Sequence, residues 1–284
     1  MSRNENRLGL PESPQQDETP APVAANTEAP AFNWSVPTEF VELPSKGLFY
    51  SPGHPLHNVT TTEIRYMTAK EEDILTSRSL LKEGVALDRM LQNLLVDKTI
   101  NVSSLLIGDK NALLVAARRT GYGPEYHASS ACKSCGQNNE ILIDLTSIPI
   151  KRLNIKPSSA GENRFEFKLP VTKKAIIFKY NTAREERERN VANKSMQKVT
   201  GASISNNVTS FLENSIVSVD GITDRMKIKH FVMNMPAFDS KALRKFIIDS
   251  EPGMDMSCEF ECKNCGTHNE STMPMTSEFF WPTK

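Results

Sequence analysis

The chain has 284 residues, 38% of them hydrophobic and 24% charged, with 34 acidic and 34 basic side chains. Its mean hydropathy is −0.41, and no stretch approaches the roughly 20 apolar residues that span a bilayer. Zero net charge supplies no global basic field to gather nucleic acid, which argues against that partner while leaving local patches open.

Residues 1–37 contain six of the 17 prolines together with Gln15, Gln16, Asp17 and Glu18. Such a segment buries too little apolar surface to offset its ordering entropy, so it is read as a disordered arm, either a tail without a role or a partner-binding one. Met1–Leu10 lacks the apolar run of a secretory signal, so a reducing compartment is expected. Order is expected to begin with a short strand at Phe40–Pro44, followed by turns at Ser45–Gly47 and Ser51–Pro55. Glu63–Met67 alternates polar and apolar residues and reads as a strand. Thr68-Ala69-Lys70-Glu71 is a capping box that opens a helix carrying Ile74 and Leu75. A second helix over Val85–Val96 sets Leu87, Met90, Leu91, Leu94 and Leu95 on one stripe. Asp109 is expected to cap a third helix, with Gly121 as its stop. Glu125–Ala131 and Ile141–Leu145 are read as strands.

The second half follows the same order. Phe165–Leu169 and Ala175–Tyr180 are strand-like, and Thr182–Glu186 repeats the capping box of Thr68–Glu72 at an offset of 114. Leu91 and Asn93 match Leu212 and Asn214 at an offset of 121, while Asp109, Ala112, Leu113 and Gly123 match Asp239, Ala242, Leu243 and Gly253 at 130. The growing offset places insertions near Val199–Asn207 and Asp220–Ile228. Shared order makes chance a poor explanation, so a tandem duplication of roughly 115–125 residues is inferred, with a linker near Asn154–Glu162.

The sharpest repeat is Cys132-Lys133-Ser134-Cys135-Gly136-Gln137-Asn138-Asn139-Glu140, which returns as Cys262-Lys263-Asn264-Cys265-Gly266-Thr267-His268-Asn269-Glu270, six of nine positions identical. In a reducing compartment two Cys-x-x-Cys pairs supply the four thiols of a closed structural zinc site. The glycine after each second cysteine suits a turn with positive φ. One copy supplies only two ligands, so Cys132, Cys135, Cys262 and Cys265 are expected to share one Zn²⁺ that staples the repeats; the rivals are loss of the metal or completion of each knuckle by another chain. Zinc binding to such sites releases about 10–16 kcal/mol in isolated peptides, and this becomes folding energy. Lys133 and Lys263 would offset the net charge of about −2 on a zinc with four thiolates. Cys258 has Ala128 as its counterpart at an offset of 130, which argues against a ligand role, and is read as a small apolar filler. His127 and His268 are read as ordinary strand or surface residues.

A closed four-thiolate site has no open coordination position for catalysis. The sequence has no phosphate-cradling glycine loop, no H-E-x-x-H and no G-x-S-x-G. Glu71, Glu72 and Asp73 suit a helix N-terminus, and Arg184–Arg189 mixes signs as a solvated helix face does. No enzymatic activity and no small-molecule substrate are expected. Zinc ribbons also occur in nucleic-acid-binding proteins. Lys110, Arg118 and Arg119 form one basic cluster and Lys227, Lys229, Lys241, Arg244 and Lys245 another, neither interleaved with aromatics as a stacking platform is. That class stays open as an alternative.

Val41–Gly47, Gly53–Leu56, Glu63–Leu75, Gly108–Leu113, Tyr122 and Cys132-x-x-Cys135 together resemble the T-even-type baseplate hub subunit and hub-assembly proteins of contractile-tailed bacteriophages. The resemblance covers Phe40–Leu153 well and the second half more loosely, through its cysteines and helix pattern. It implies a non-enzymatic structural or assembly protein of a phage tail baseplate hub, with other baseplate and tail proteins as partners. It places the protein in the virion tail baseplate, or in the host cytoplasm as a transient assembly chaperone. The expected fold is α+β, with a disordered arm at 1–37 and two tandem related repeats at 38–153 and 163–284, each carrying one knuckle of a zinc-ribbon-like four-cysteine site. The C-terminal Phe279-Phe280-Trp281-Pro282 is read as closing the second core or as a docking tail.

Overall fold

The computed structural model describes residues 35–152, 155–159, 161–200, 207–273 and 279–280 of the protein. The arm expected at 1–37 lies outside these residues except for Ser35–Pro37, as do Asn154 and Ala160 of the expected linker and 201–206 of the first expected insertion. Trp281 and Pro282 of the C-terminal motif also lie outside. Val36–Lys284 forms one compact unit of mixed α+β structure.

Strand β1 (Thr38–Glu42) pairs antiparallel with β2 (Thr61–Arg65), Phe40 facing Glu63. The second strand lies slightly earlier than its alternation indicates, because the chain leaves the ladder once the Tyr66 N–H has reached the Pro37 carbonyl at 2.9 Å. Between the strands, turns carry Leu43, Phe49, Tyr50 and Leu56 into the core. Helix α1 (Ala69–Thr76) opens on the expected capping box: the Glu71 carboxylate accepts the Thr68 N–H at 3.0 Å and the Thr68 hydroxyl at 2.7 Å. These bonds, with Arg65 at 3.5 Å, let a glutamate sit fully buried. Helix α2 (Arg78–Glu83) stops at Gly84, and α3 (Ala86–Leu94) follows. Met90, Leu91, Leu94 and the following Leu95 are all fully buried, each worth about 1.5–3 kcal/mol.

A 3-10 turn at Val102–Ser104 leads into α4 (Ile107–Tyr122). Two details differ from expectation. Asp109 is not the cap: the helix starts two residues before it, and its carboxylate accepts the Ser45 N–H at 2.9 Å, the Ser45 hydroxyl at 2.6 Å and the Tyr50 hydroxyl at 2.7 Å. A distant turn claims the side chain that the local rule assigned to its own helix. The stop is Gly123 with φ 90°, while Gly121 lies inside the last turn. Gly108 is needed for close approach, since a Cβ there would lie 1.9 Å from the Pro252 carbonyl oxygen.

Strands β3 (Glu125–Ala131) and β4 (Asn138–Asp144) form a hairpin, and β5 (Ile150–Lys151) follows. Strand β6 (Phe165–Lys168) leads to β7 (Ala175–Phe178), and α5 (Ala183–Thr200) then begins at a second capping box, with Thr182 N–H 2.9 Å from the Glu185 carboxylate. Helix α6 (Asn207–Ser215) runs into β8 (Ile216–Val219), which completes a sheet in the order β6-β7-β8. Asp224 caps α7 (Arg225–Met233), and α8 (Ala237–Ser250) follows after a short link. Asp239, third in α8 as Asp109 is third in α4, accepts the N–H groups of Val171 at 2.7 Å and Thr172 at 3.0 Å and the Thr172 hydroxyl at 2.8 Å. Strand β9 (Gly253–Met254) pairs with β5, and β10 (Ser257–Glu261) with β11 (His268–Thr272) makes a second hairpin.

The core runs through both halves of the chain. Phe49 meets Phe165 edge-on at 5.3 Å, and Phe165 lies 4.6 Å from Tyr180, contacts worth about 0.5–1.5 kcal/mol each beyond their burial. Ala183 N–H donates to the Leu105 carbonyl at 2.8 Å, and Asp88 holds both Lys110 at 2.6 Å and Arg187 at 3.2 Å. Phe279 and Phe280 are buried, Phe279 lying 5.0 Å from Tyr126 and accepting Arg118 Nε–H on its carbonyl at 3.3 Å. These two aromatics close the core.

Candidate metal centre

The two hairpins end in knuckles built alike. In the first, Cys132 N–H donates to the Gln137 carbonyl and Gly136 N–H to the Cys132 carbonyl, both at 2.9 Å; in the second, Cys262 N–H donates to Thr267 at 3.0 Å and Gly266 N–H to Cys262 at 2.9 Å. Gly136 and Gly266 have φ of 73° and 67°, the left-handed conformation expected of both, in which a Cβ is disfavoured. The turn folds each Cys-x-x-Cys so that both sulfurs point to one side.

The hairpins bring the knuckles together. All four sulfurs, of Cys132, Cys135, Cys262 and Cys265, lie within 4.8 Å of one another. The closest approaches cross between hairpins: Cys132 to Cys265 at 3.7 Å and Cys135 to Cys262 at 3.6 Å. Disulfide sulfurs stand ~2.05 Å apart, so these four are thiols. Sulfurs about 2.3 Å from a tetrahedral zinc stand about 3.8 Å from each other, which the crossed pairs nearly match. Cys132 and Cys262 are buried while Cys135 and Cys265 are exposed.

Donors converge on the buried sulfurs. The Cys132 thiol is pulled down to about 6, first by the Cys135 N–H and then by the Ser134 N–H and the Asn269 amide. Cys262 is lowered likewise, by the N–H groups of Cys265 and Asn264 and by the Asn139 amide. At Cys135 the Gln137 N–H and the Asn264 amide also pull down, but desolvation together with the adjoining Cys265 and Cys262 sulfurs outweighs them and its thiol is raised above the ordinary value. Four thiolates this close repel one another, and a bound cation removes that penalty. Soft sulfur donors in tetrahedral array fit Zn²⁺ or an iron centre.

Asn139 and Asn269, 4% and 5% exposed, join the site although no metal-ligand motif marks them. Each amide donates across to the opposite knuckle, Asn139 Nδ2 to Cys262 Sγ at 3.6 Å and Asn269 Nδ2 to Cys132 Sγ at 3.4 Å. Their signal was present, since both belong to the nine-residue repeat at matching positions. Farther along the hairpins, the Ser130 hydroxyl donates to Ser271 at 3.0 Å. His127 and His268 are exposed and stand outside the thiol cluster. Cys258 also stands outside it, donating to the Ser271 carbonyl at 3.6 Å, with burial pushing its thiol up.

The basic clusters differ in fate. Lys110 is held by Asp88, Arg119 pairs with Glu39, and Arg118 is 5% exposed, so the first cluster is spent inside the fold. Lys227, Lys229, Lys241 and Lys245 are exposed. No helix among the described residues is long and apolar enough to cross a membrane.

The family model described as "T4 bacteriophage base plate protein" matches residues 37–281. No curated protein and no solved structure matches the chain.

Proposed function

The chain belongs to the T4 bacteriophage base plate protein family, and from that premise we propose that it is a non-enzymatic structural protein of the baseplate hub, held together by one structural Zn²⁺. Membership implies a place in the virion tail and other baseplate proteins as partners. The observation that carries the reading is the family match over 37–281 joined to the four-thiol cluster. Cys132, Cys135, Cys262 and Cys265 would hold the ion, and a filled four-thiolate shell acts as a staple because it offers no open position.

Two tandem repeats, 38–153 and 163–284, are part of this reading. Matched interactions support it: the capping boxes of Thr68 and Thr182, the third-position carboxylates Asp109 and Asp239 that each grip a turn, and the knuckles with their asparagines. Helix α7 has only a 3-10 turn at the corresponding place in the first half, in keeping with an insertion in the second copy. The metal then joins equivalent corners of the two copies.

Affinity capture of the tagged protein from infected cells, with mass spectrometry of purified virions, tests the reading. Recovery of baseplate proteins with the chain present in virions is expected. Tail-protein capture without the chain in virions would make it a transient assembly chaperone, and capture of no tail protein would refute the assignment.

A further inference from the structure

Zero net charge conceals a segregation of unpaired charge. On α8, Phe238, Lys241, Lys245 and Ile248 recur at i, i+3, i+7 and i+10 and so share one stripe. All four face solvent, Phe238 at 65% and Ile248 at 55% exposure. On α7, Met226, Lys229 and Met233 repeat the pattern at i, i+3 and i+7, with the methionines 75% and 66% exposed. The opposite sides of these helices bury Ile228, Val232, Leu243 and Ile247. Lys227, Lys229, Lys241 and Lys245 form no ion pair among the described residues. Of the acids on these elements, Asp239 is turned inward, while Asp224, which caps α7, and Asp249 are exposed and leave four lysines against two carboxylates. Each stripe is basic, with large apolar side chains set beside its lysines. Apolar side chains repeated along one exposed stripe suit an interface better than water, and they require an apolar counterpart, which a phosphate backbone does not offer.

The matching surface is on the same chain. Along β4, Glu140, Leu142 and Asp144 all point outward, and Leu142 is 60% exposed. Glu125 stands directly opposite Asp144 in the ladder, a like-charged pair that costs stability until a cation lies between its members. Asp144 accepts hydrogen bonds from Thr146, and none of the three carboxylates is paired with a base among the described residues. An acid–leucine–acid row thus complements the α8 stripe of Phe238, Lys241, Lys245 and Ile248.

We propose that the outer face of the β3–β4 hairpin of one copy docks on the exposed stripe of α8 of a second copy. The two patches differ, so the contact is head-to-tail and builds a ring or an open chain according to its rotation. The proposal goes beyond baseplate membership, which requires no self-association.

Sedimentation velocity of the full chain at low and high salt, with two charge-reversal variants, tests it. The wild type self-associates at low salt and dissociates at high salt. K241E/K245E and E140K/D144K each weaken association by about a hundredfold, because reversal sets like charges face to face. Mixed together, the two variants associate again, since each supplies the face that complements the other's altered one. Both lie on the surface, and unchanged circular dichroism and metal content show that they are folded. A wild type that stays monomeric at low salt overturns the proposal, as does association that ignores the reversals or is not restored by mixing. A monomer that instead retains nucleic acid or a different acidic protein through Lys241 and Lys245 also overturns it, and hands the face to that partner.

Discussion

Asn139 and Asn269 clasp each other's knuckles: Asn139 Oδ1 accepts the Lys263 N–H at 3.0 Å, and Asn269 Oδ1 accepts the Lys133 N–H at 2.9 Å. Each side chain also donates to the first cysteine of the opposite knuckle. One buried amide therefore fixes both the backbone and the sulfur of the other hairpin. Groups behind metal ligands tune affinity as well as orientation.

Replacing Asn139 with alanine removes the acceptor of the half-buried Lys263 N–H, at a cost of about 0.5–1.5 kcal/mol in denaturant unfolding. Zinc affinity, read by competition with a chromophoric chelator, should fall about 10–100-fold. Asn139→Asp keeps an acceptor but sets an anion beside Cys262, so it should bind zinc more weakly than Asn139→Ala. Wild-type affinity in Asn139→Ala would show that the clasp does not serve the metal.

Asp109 is a second buried anchor. Asp109→Asn turns one acceptor oxygen into a donor facing Ser45 and Tyr50, and should cost about 1.5–3 kcal/mol through the lost charge-assisted bond. Tyr50→Phe removes a hydroxyl that donates to Asp109 and accepts the Leu106 N–H at 3.0 Å. The two changes should be non-additive in a double-mutant cycle followed by thermal unfolding. Strict additivity would mean that the contact contributes nothing.

Glu251 links stability to pH. Burial pushes its carboxyl up to about 7, with Glu186 and Asp109 adding to the rise and Lys151 and Arg189 opposing it. The folded state then holds this proton more tightly than the unfolded chain does. Its contribution is complete below the ordinary value of 4.5 and is lost as pH rises through about 7. Glu251→Gln cannot ionise, so above neutrality it should be more stable than wild type by roughly 1–3 kcal/mol. The lower end is expected because the side chain keeps some solvent contact. The gap should close in acid; melts across pH that run parallel would refute the linkage.

Phe279 separates core closure from docking at the C-terminus. It is fully buried against Tyr126, so Phe279→Ala should cost about 3–5 kcal/mol, and truncation after Ser277 should yield insoluble protein. A soluble, fully stable truncation that fails to bind its partners would favour a docking role.

Much of this was legible in the sequence because the signals were local. The capping boxes at Thr68 and Thr182 begin helices where expected, β3 spans Glu125–Ala131 as read, and both knuckle glycines take positive φ. The convergence of four sulfurs followed from counting ligands across a repeat. What escaped was non-local. Asp109 looks like a cap until Ser45, 64 residues away in sequence, is placed beside it. Asn139 and Asn269 look like turn residues until the hairpins meet. Lys110 and Arg119 read as a basic cluster because Asp88 and Glu39 are distant in sequence. The α8 stripe could not be recognised as interleaved with Phe238, since helix pitch alone does not say which residues the core leaves uncovered.

The shared metal is the central claim, and native mass spectrometry of the intact chain with elemental analysis tests it most directly. The account predicts one zinc per chain, lost together with cooperative unfolding when either Cys132 or Cys262 is replaced by serine. Two metals per chain, no metal, or a zinc that survives loss of one knuckle would contradict it.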